Sequence, residues 1–398
     1  MNSVSINDLD LKGKRVLIRV DFNVPLREDE NGRQHVADDT RIRAAIPTIR
    51  KVINGMGKAI LISHLGRPKG VPNSKYSLAP VAEHLESLLG FPVRFASHLT
   101  GEAIKEAIDR MPEGGVILLE NTRFYPGETK NDPELAAELA ELADVYVNDA
   151  FGSAHRAHAS TEGVARLVPQ VAMGLLLERE VTYLNRLLES PEHPFVAVIG
   201  GAKVSDKIGV IEALLKRVDY LLIGGAMSYT FLKALGQPVG KSLYEEDKLQ
   251  QAHKLFTEAE GRIKLPFDHI VATEFNNDAP HHVTKTIEAD FMGLDIGPET
   301  VQAYRELLLG AKTIVWNGPM GVFEMSNYAR GTFAIAETLA EATQHGALTV
   351  VGGGDSVAAI TQMGFEDRVS HVSTGGGAML EFLEGITLPG IAALNKRA

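Results

Sequence analysis

FVAVIGGAKVSDKIGVIEALLKRVDYLLIGG, residues 195–225, opens with five apolar residues in succession. Succession rather than alternation suits a parallel strand buried on both faces. Glycines and a polar turn follow, then a helical pattern, then a second apolar run that again ends in glycine. Strand, glycine turn, helix and strand in this order form the repeating unit of a doubly wound parallel sheet.

The same alternation extends outward in both directions. Strand patterns are RVLIRVD (15–21), KAILIS (58–63), GVILLE (115–120), DVYVND (144–149), HIVATE (269–274), KTIVWNG (312–318), LTVVGGG (348–354) and VSHVST (369–374). Helical patterns lie between them, among them LAPVAEHLESLLG (78–90) and DPELAAELAELAD (132–144), where Asp132 before Pro133 reads as an N-cap. Ten strands are many for one twisted sheet, so they divide into two. The division falls near 170–192, where MGLLLEREVTYLNRLLESPEHP (173–194) reads as a long helix joining two lobes.

The bulk numbers narrow the function. At 398 residues the chain is long enough for two or three domains. Its net charge of −11 disfavours bulk nucleic-acid or anionic-membrane binding. Without cysteine it has no disulfide, zinc–thiolate site or thiol nucleophile. No apolar run spans a bilayer and the N-terminus lacks a signal-peptide pattern, so the expected setting is cytoplasmic.

Three strands of the second half end in glycine and lead toward helices: VIGGAKVSDKIGVIEALL (198–215), VVGGGDSVAAI (350–360) and STGGGAMLEFLEG (373–385). Backbone N–H groups and a helix dipole at such a junction attract anions. Three in one lobe favour a phosphate-bearing ligand. A dinucleotide fingerprint fails, because Val357 and Leu380 stand where its third glycine belongs. GQPVGKS (236–242) is one residue short of a P-loop and reads as a surface loop. Lys203 and Lys207, four apart beside the first turn, would flank a bound anion. Asp355 reads equally as a Mg²⁺ ligand or as a plain N-cap. Asp295 in GLDIGP and Glu324 in GPMGVFE are further acids read as lying in loops.

In the first half, charged and polar residues follow strands: Asp21 and Asn23 in RVDFNVP, His64 and Arg67 in SHLGRP, Arg123 in LLENTRF, Arg156 in NDAFGSAHRAH. Arg41 opens a helix in DDTRIRAA. These positions gather at one sheet edge, where arginine forks suit a small, multiply charged anion. His155 and His158 have no third ligand nearby and are not read as a metal site. No Ser-His-Asp set or GxSxG motif is present. An anion edge on each lobe points to phosphoryl transfer across a cleft.

RVDFNVPL, DDTRIRAAIPTI, SHLGRP, LLENTRF, DAFGSAHRAHAST, GGAKVSDKI, WNGPMGVFE, GGGDS and STGGGAMLEFLEG together resemble the phosphoglycerate kinase family, in the family's order and over essentially the whole chain. The resemblance implies an α/β fold of two doubly wound, Rossmann-like parallel-sheet domains joined by a helix, with a cleft between them. It implies a triose domain over 1–172, a hinge helix over 173–192, a nucleotide domain over 193–376 and a return segment over 377–398. The implied reaction is reversible transfer from 1,3-bisphosphoglycerate to MgADP, giving 3-phosphoglycerate and MgATP, by a monomer without nucleic-acid or membrane partners. Asp21, Asn23, Arg41, His64, Arg67, Arg123 and Arg156 would bind the triose. Gly201, Lys207, Gly293, Asn317, Glu324, Gly353, Gly354, Asp355 and Ser356 would bind nucleotide, with Asp355 on Mg²⁺. Arg41, Lys203, Lys207, Gly375, Gly376 and Gly377 would surround the phosphoryl group in flight. The short stretch KGVPNSKYS (69–77) is expected to stand clear of the chemistry. The main alternative from another class, a two-lobed phosphate-ligand binder, accounts for a cleft but not for two separate anion edges with lysines and a metal-ready acid.

Overall fold

The computed structural model describes residues 3–395. The chain folds as two compact units. One comprises the residues up to Thr182 together with those from Thr387 onward, and the other is Tyr183–Ile386.

The first unit contains β1 (Arg15–Arg19), a short antiparallel ribbon of β2 (Leu26–Glu28) and β3 (Gln34–Val36), then β4 (Lys58–Ile62), β5 (Val93–Ala96), β6 (Val116–Leu119), β7 (Val145–Asn148) and β8 (Gln170–Met173). Six of these form one parallel sheet in the order β5-β6-β4-β1-β7-β8. Four residues of β1 and all of β6 and β7 are buried, as their unbroken apolar runs require. The helices Thr40–Asn54 and Ala79–Leu89 pack Ile42, Ile49, Val81 and Leu85 against Val16, Ile18 and Leu61. Each such buried aliphatic side chain stabilises the unit by about 1.5–3 kcal/mol. Asp132 caps the helix Pro133–Ala140 by accepting from Glu134 N and Leu135 N.

The second unit contains β9 (Phe195–Ile199), β10 (Tyr220–Ile223), β11 (Ile263–Lys264), β12 (His269–Ala272), β13 (His281–Thr284), β14 (Met292–Ile296), β15 (Thr313–Asn317), β16 (Leu348–Gly352) and β17 (His371–Val372). Its parallel sheet runs β11-β10-β9-β15-β16-β17. Trp316, Val198, Leu222 and Tyr304 anchor its core. The remaining three strands make a separate antiparallel sheet, β13-β12-β14.

Each parallel sheet has a point near its centre where the chain order reverses. In the first unit it lies between β1, which leads to β4 on one side, and β7, which leads to β8 on the other. In the second it lies between β9 and β15. Ligands of open α/β sheets bind beyond the carboxyl ends of the strands at such points.

Several expectations need correction. HIVATE is a strand of the antiparallel sheet, not of the parallel one. Asp295 lies on β14 and is 1% exposed; it is not a loop acid. The joining helix spans Leu175–Glu189, and Met173 before it belongs to β8. Within this helix the chain passes from one unit to the other. The segment 377–386 stays with the second unit, where the helix Gly376–Leu383 packs on the helix Ile208–Leu214.

Candidate functional site

The carboxyl edge of the first sheet gathers the residues singled out in that half. Asp21 and Asn23 follow β1. Arg41, in the first turn of the helix Thr40–Asn54, donates to both oxygens of Asp21 (3.2 and 3.1 Å) and to the Asn23 carbonyl (3.3 Å). Asn23 Oδ1 accepts from Gly66 N (2.9 Å), and Arg123 donates to the Gly66 carbonyl (2.8 Å). The loop carrying His64 and Arg67 is therefore held from both sides. Asn121, which no sequence signal marked, completes this frame: it donates to the Leu65 carbonyl (2.7 Å) and accepts from Leu65 N and Arg123 N.

A cavity of 520 Å³ opens here, lined in part by Arg67, Lys69, Arg123, Lys130, Arg156 and His158. Burial, with Arg156 and Arg19 nearby, pulls Arg123 down to about 10. Burial together with Arg123, Arg19 and Arg156 pulls His158 down to about 4. Like charges held this close repel one another, so an anion entering the cavity relieves them. The expectation for residues 69–77 fails at its first residue. Lys69 lines the cavity because Gly70 N donates to the Arg123 carbonyl (3.1 Å). Behind the edge, Asp149 follows β7, accepts from Leu176 N and Leu177 N, and so caps the helix Leu175–Glu189. Burial pushes its carboxyl up to about 7. The C-terminal stretch braces the Arg156 loop, with Gly390 N donating to the Ala154 carbonyl (2.8 Å).

At the edge of the second sheet, backbone meets backbone. Gly201 N donates to the Pro319 carbonyl (3.0 Å) and Gly225 N to the Met320 carbonyl (2.8 Å). Gly225, at φ +70°, has Gly201 where a side chain would project, so only glycine fits. Lys207 immediately precedes the helix Ile208–Leu214, and its ammonium donates to Asn317 Oδ1 at the end of β15. Lys203 is exposed in the turn before it. The two lysines therefore stand in the turn and at the start of the helix, beside the first glycine run. Burial pulls Lys207 down to about 8, against the pull of Asp355 and Asp206.

Gly353 and Gly375 cap the helices Gly354–Gln362 and Gly376–Leu383. A methyl group on Gly376 would stand 3.3 Å from Gly353 Cα. Two helix N-termini thus run side by side, each presenting free N–H groups and about half a positive charge. Gly354 and Gly377 lie in the first turns of these two helices. Asp355 is not the N-cap. It is exposed in the first helical turn and makes no hydrogen bond among the described residues, so its oxygens fit a single-carboxylate Mg²⁺–nucleotide site. Among those residues no cluster of three or more His, Asp or Glu side chains could hold a metal alone. Ser356 Oγ accepts from Gly318 N (2.6 Å), which fixes the turn after β15.

Gly293 and Glu324 lie on a neighbouring wall, since Val322 N donates to the Leu294 carbonyl (2.8 Å) and binds the Glu324 loop to β14. Gly293 N donates to Ser242 Oγ (2.9 Å), so the buried end of GQPVGKS supports this wall. No described helix is long and apolar enough to cross a membrane.

Comparison with known proteins gives one answer throughout. A family model described as Phosphoglycerate kinase matches residues 6–386. The chain is 59% identical to the phosphoglycerate kinase of Salinibacter ruber over 99% of its length and 100% of that protein's. It is 53% identical to that of Chlorobaculum tepidum, with the same coverage. Among solved structures, the phosphoglycerate kinase of Coxiella burnetii superposes with a TM-score of 0.88 at 43% identity, and that of Pyrococcus horikoshii with 0.84 at 33%, each covering 98% of both chains.

Proposed function

The chain belongs to the phosphoglycerate kinase family and is an enzyme of that family, and from that premise we propose that it transfers a phosphoryl group reversibly from 1,3-bisphosphoglycerate to MgADP, giving 3-phosphoglycerate and MgATP. The observation that carries the reading is the pair of anion-ready edges, one at the switch point of each parallel sheet. The arginine cavity of the first unit takes the triose. The glycine turns of the second, with Lys207, take the nucleotide.

A carboxylate is ionised at neutral pH, so it attacks or leaves without a general base. Positioning and charge neutralisation are then the whole of the enzyme's task. Arg41, Lys203, Lys207 and the N–H groups of the run Gly375, Gly376, Gly377 stabilise the phosphoryl group during direct in-line transfer. Mg²⁺ held by Asp355 and the nucleotide phosphates would supply further neutralisation of phosphate charge.

A coupled assay following ATP formation from 1,3-bisphosphoglycerate and ADP tests the reaction. Turnover that requires both substrates supports it; binding of phosphate ligands without turnover would leave a binder instead. Closure about the helix Leu175–Glu189 would exclude water during transfer. Solution scattering should show a smaller radius of gyration with both ligands than with either alone, and an unchanged value would remove closure from the mechanism.

A further inference from the structure

Arg19 ends β1 at 1% exposure. A cation is seldom buried so completely without partners. Its Nη2 donates to His64 Nδ1 (3.0 Å) and its Nε to Ser160 Oγ (2.9 Å), while Nη1 donates to the Val20 carbonyl. Ser160 Oγ in turn donates to Glu128 Oε1 (2.5 Å), and Ser160 N donates to Glu128 Oε2 (3.0 Å). Glu128 is fully buried, and Tyr146 Oη donates to the Ser160 carbonyl (2.8 Å). One chain of hydrogen bonds therefore runs from a buried carboxylate to a histidine of the triose edge.

We propose that Glu128, Ser160 and Arg19 are positioning residues that hold His64 as the neutral Nε2–H tautomer, so that it meets the substrate as a hydrogen-bond donor and not as one more cation. A guanidinium only donates, so the imidazole nitrogen facing Arg19 must accept. The remaining ring proton then sits on Nε2, which has no hydrogen-bond partner among the described residues. A protonated ring would set an N–H against the N–H of Arg19. Arg123, Arg156 and Arg41 add to the repulsion, and with burial as the largest cause they hold His64 well below its ordinary range. Glu128 is the charge that allows Arg19 to stay buried, acting through Ser160 and not by direct contact with the ring. The benefit to the site is directional. The arginines attract an anion from any approach, whereas a single N–H on a fixed ring recognises one oxygen in one place.

This inference rests on the reading of the first unit as the triose site. Its primary test does not. In enzyme carrying ¹⁵N-labelled histidine, long-range ¹H–¹⁵N correlation without ligands should show the Nε2–H pattern for His64, assigned by its loss in His64→Gln. The pattern should persist as the pH falls through the ordinary histidine value of about 6.5. An Nδ1–H pattern, or an imidazolium at neutral pH, overturns the proposal. Ser160→Ala, which cuts the chain with little change in volume, should mix the tautomers. It should also raise KM for 3-phosphoglycerate by about 3- to 10-fold, as expected for one lost hydrogen bond, with kcat and KM for MgATP close to wild type. An unchanged tautomer in a folded Ser160→Ala enzyme overturns the relay. Failure of the wild-type enzyme to use 3-phosphoglycerate would overturn the reading of the site and not the tautomer.

Discussion

The Lys207 ammonium donates to the side-chain oxygen of Asn317, joining the residue before one helix to the last residue of β15 at the switch point of the second sheet. The partner is a neutral amide and not a carboxylate. Burial brings Lys207 from its ordinary 10.5 down to about 8. Between these two values the unfolded chain holds a proton that the folded chain has released. Stability from this group therefore rises as pH climbs through the window, and the penalty is fully present below about pH 8. Without nucleotide, Lys207→Met should melt a few degrees higher than wild type at neutral pH. The difference should shrink above pH 8. Thermal scans at both pH values check this, and equal melting at neutral pH would contradict it.

Arg41 is held by Asp21 on one side, while its side chain remains 40% exposed. The account gives it the stabilisation of phosphoryl charge, for which one arginine in related transfers contributes about 10³–10⁵ in rate. Arg41→Ala should lower kcat by at least about 10²-fold with the melting temperature nearly unchanged. Turnover near wild type would remove Arg41 from the catalytic set.

Gly376 keeps two helix N-termini together, since a methyl group there would press on Gly353 Cα at 3.3 Å. In a helix alanine is otherwise favoured over glycine by about 0.5–1 kcal/mol, so Gly376→Ala should cost little stability. Displacing the Gly353–Gly354 turn should nonetheless lower kcat by about 10-fold or more. A folded variant with unchanged kcat would reduce the glycine to a packing requirement.

What the sequence revealed followed from what is local. Strands such as VYVN and FVAVI are buried on both faces and announce themselves by unbroken apolar runs. The edge strands β5 and β8 escaped notice because each has exposed positions, with Arg94 interrupting one and Gln170 opening the other. The place of Asp295 is not legible locally, because its partners, the N–H groups of Ile296 and Gly331 (2.9 and 2.7 Å), include one 36 residues away. The same holds for the site. Arg67, Arg123 and Arg156 could be read as residues that follow strands. Arg19 sits inside a strand pattern, and its partners His64 and Ser160 lie 45 and 141 residues on. Lys69 lies in a loop whose place is set by the distant backbone of Arg123, which no local pattern signals.

The central claim is that the two edges are separate sites, one for the triose and one for the nucleotide. Equilibrium binding of 3-phosphoglycerate and of MgATP to Arg123→Met and Lys207→Met tests it directly. Arg123→Met should lose at least about 10-fold in affinity for 3-phosphoglycerate and keep MgATP. Lys207→Met should lose MgATP by a similar factor and keep 3-phosphoglycerate, a charge-assisted hydrogen bond being worth about 1.5–3 kcal/mol. Loss of both ligands by either folded variant, or of neither by both, would contradict the account.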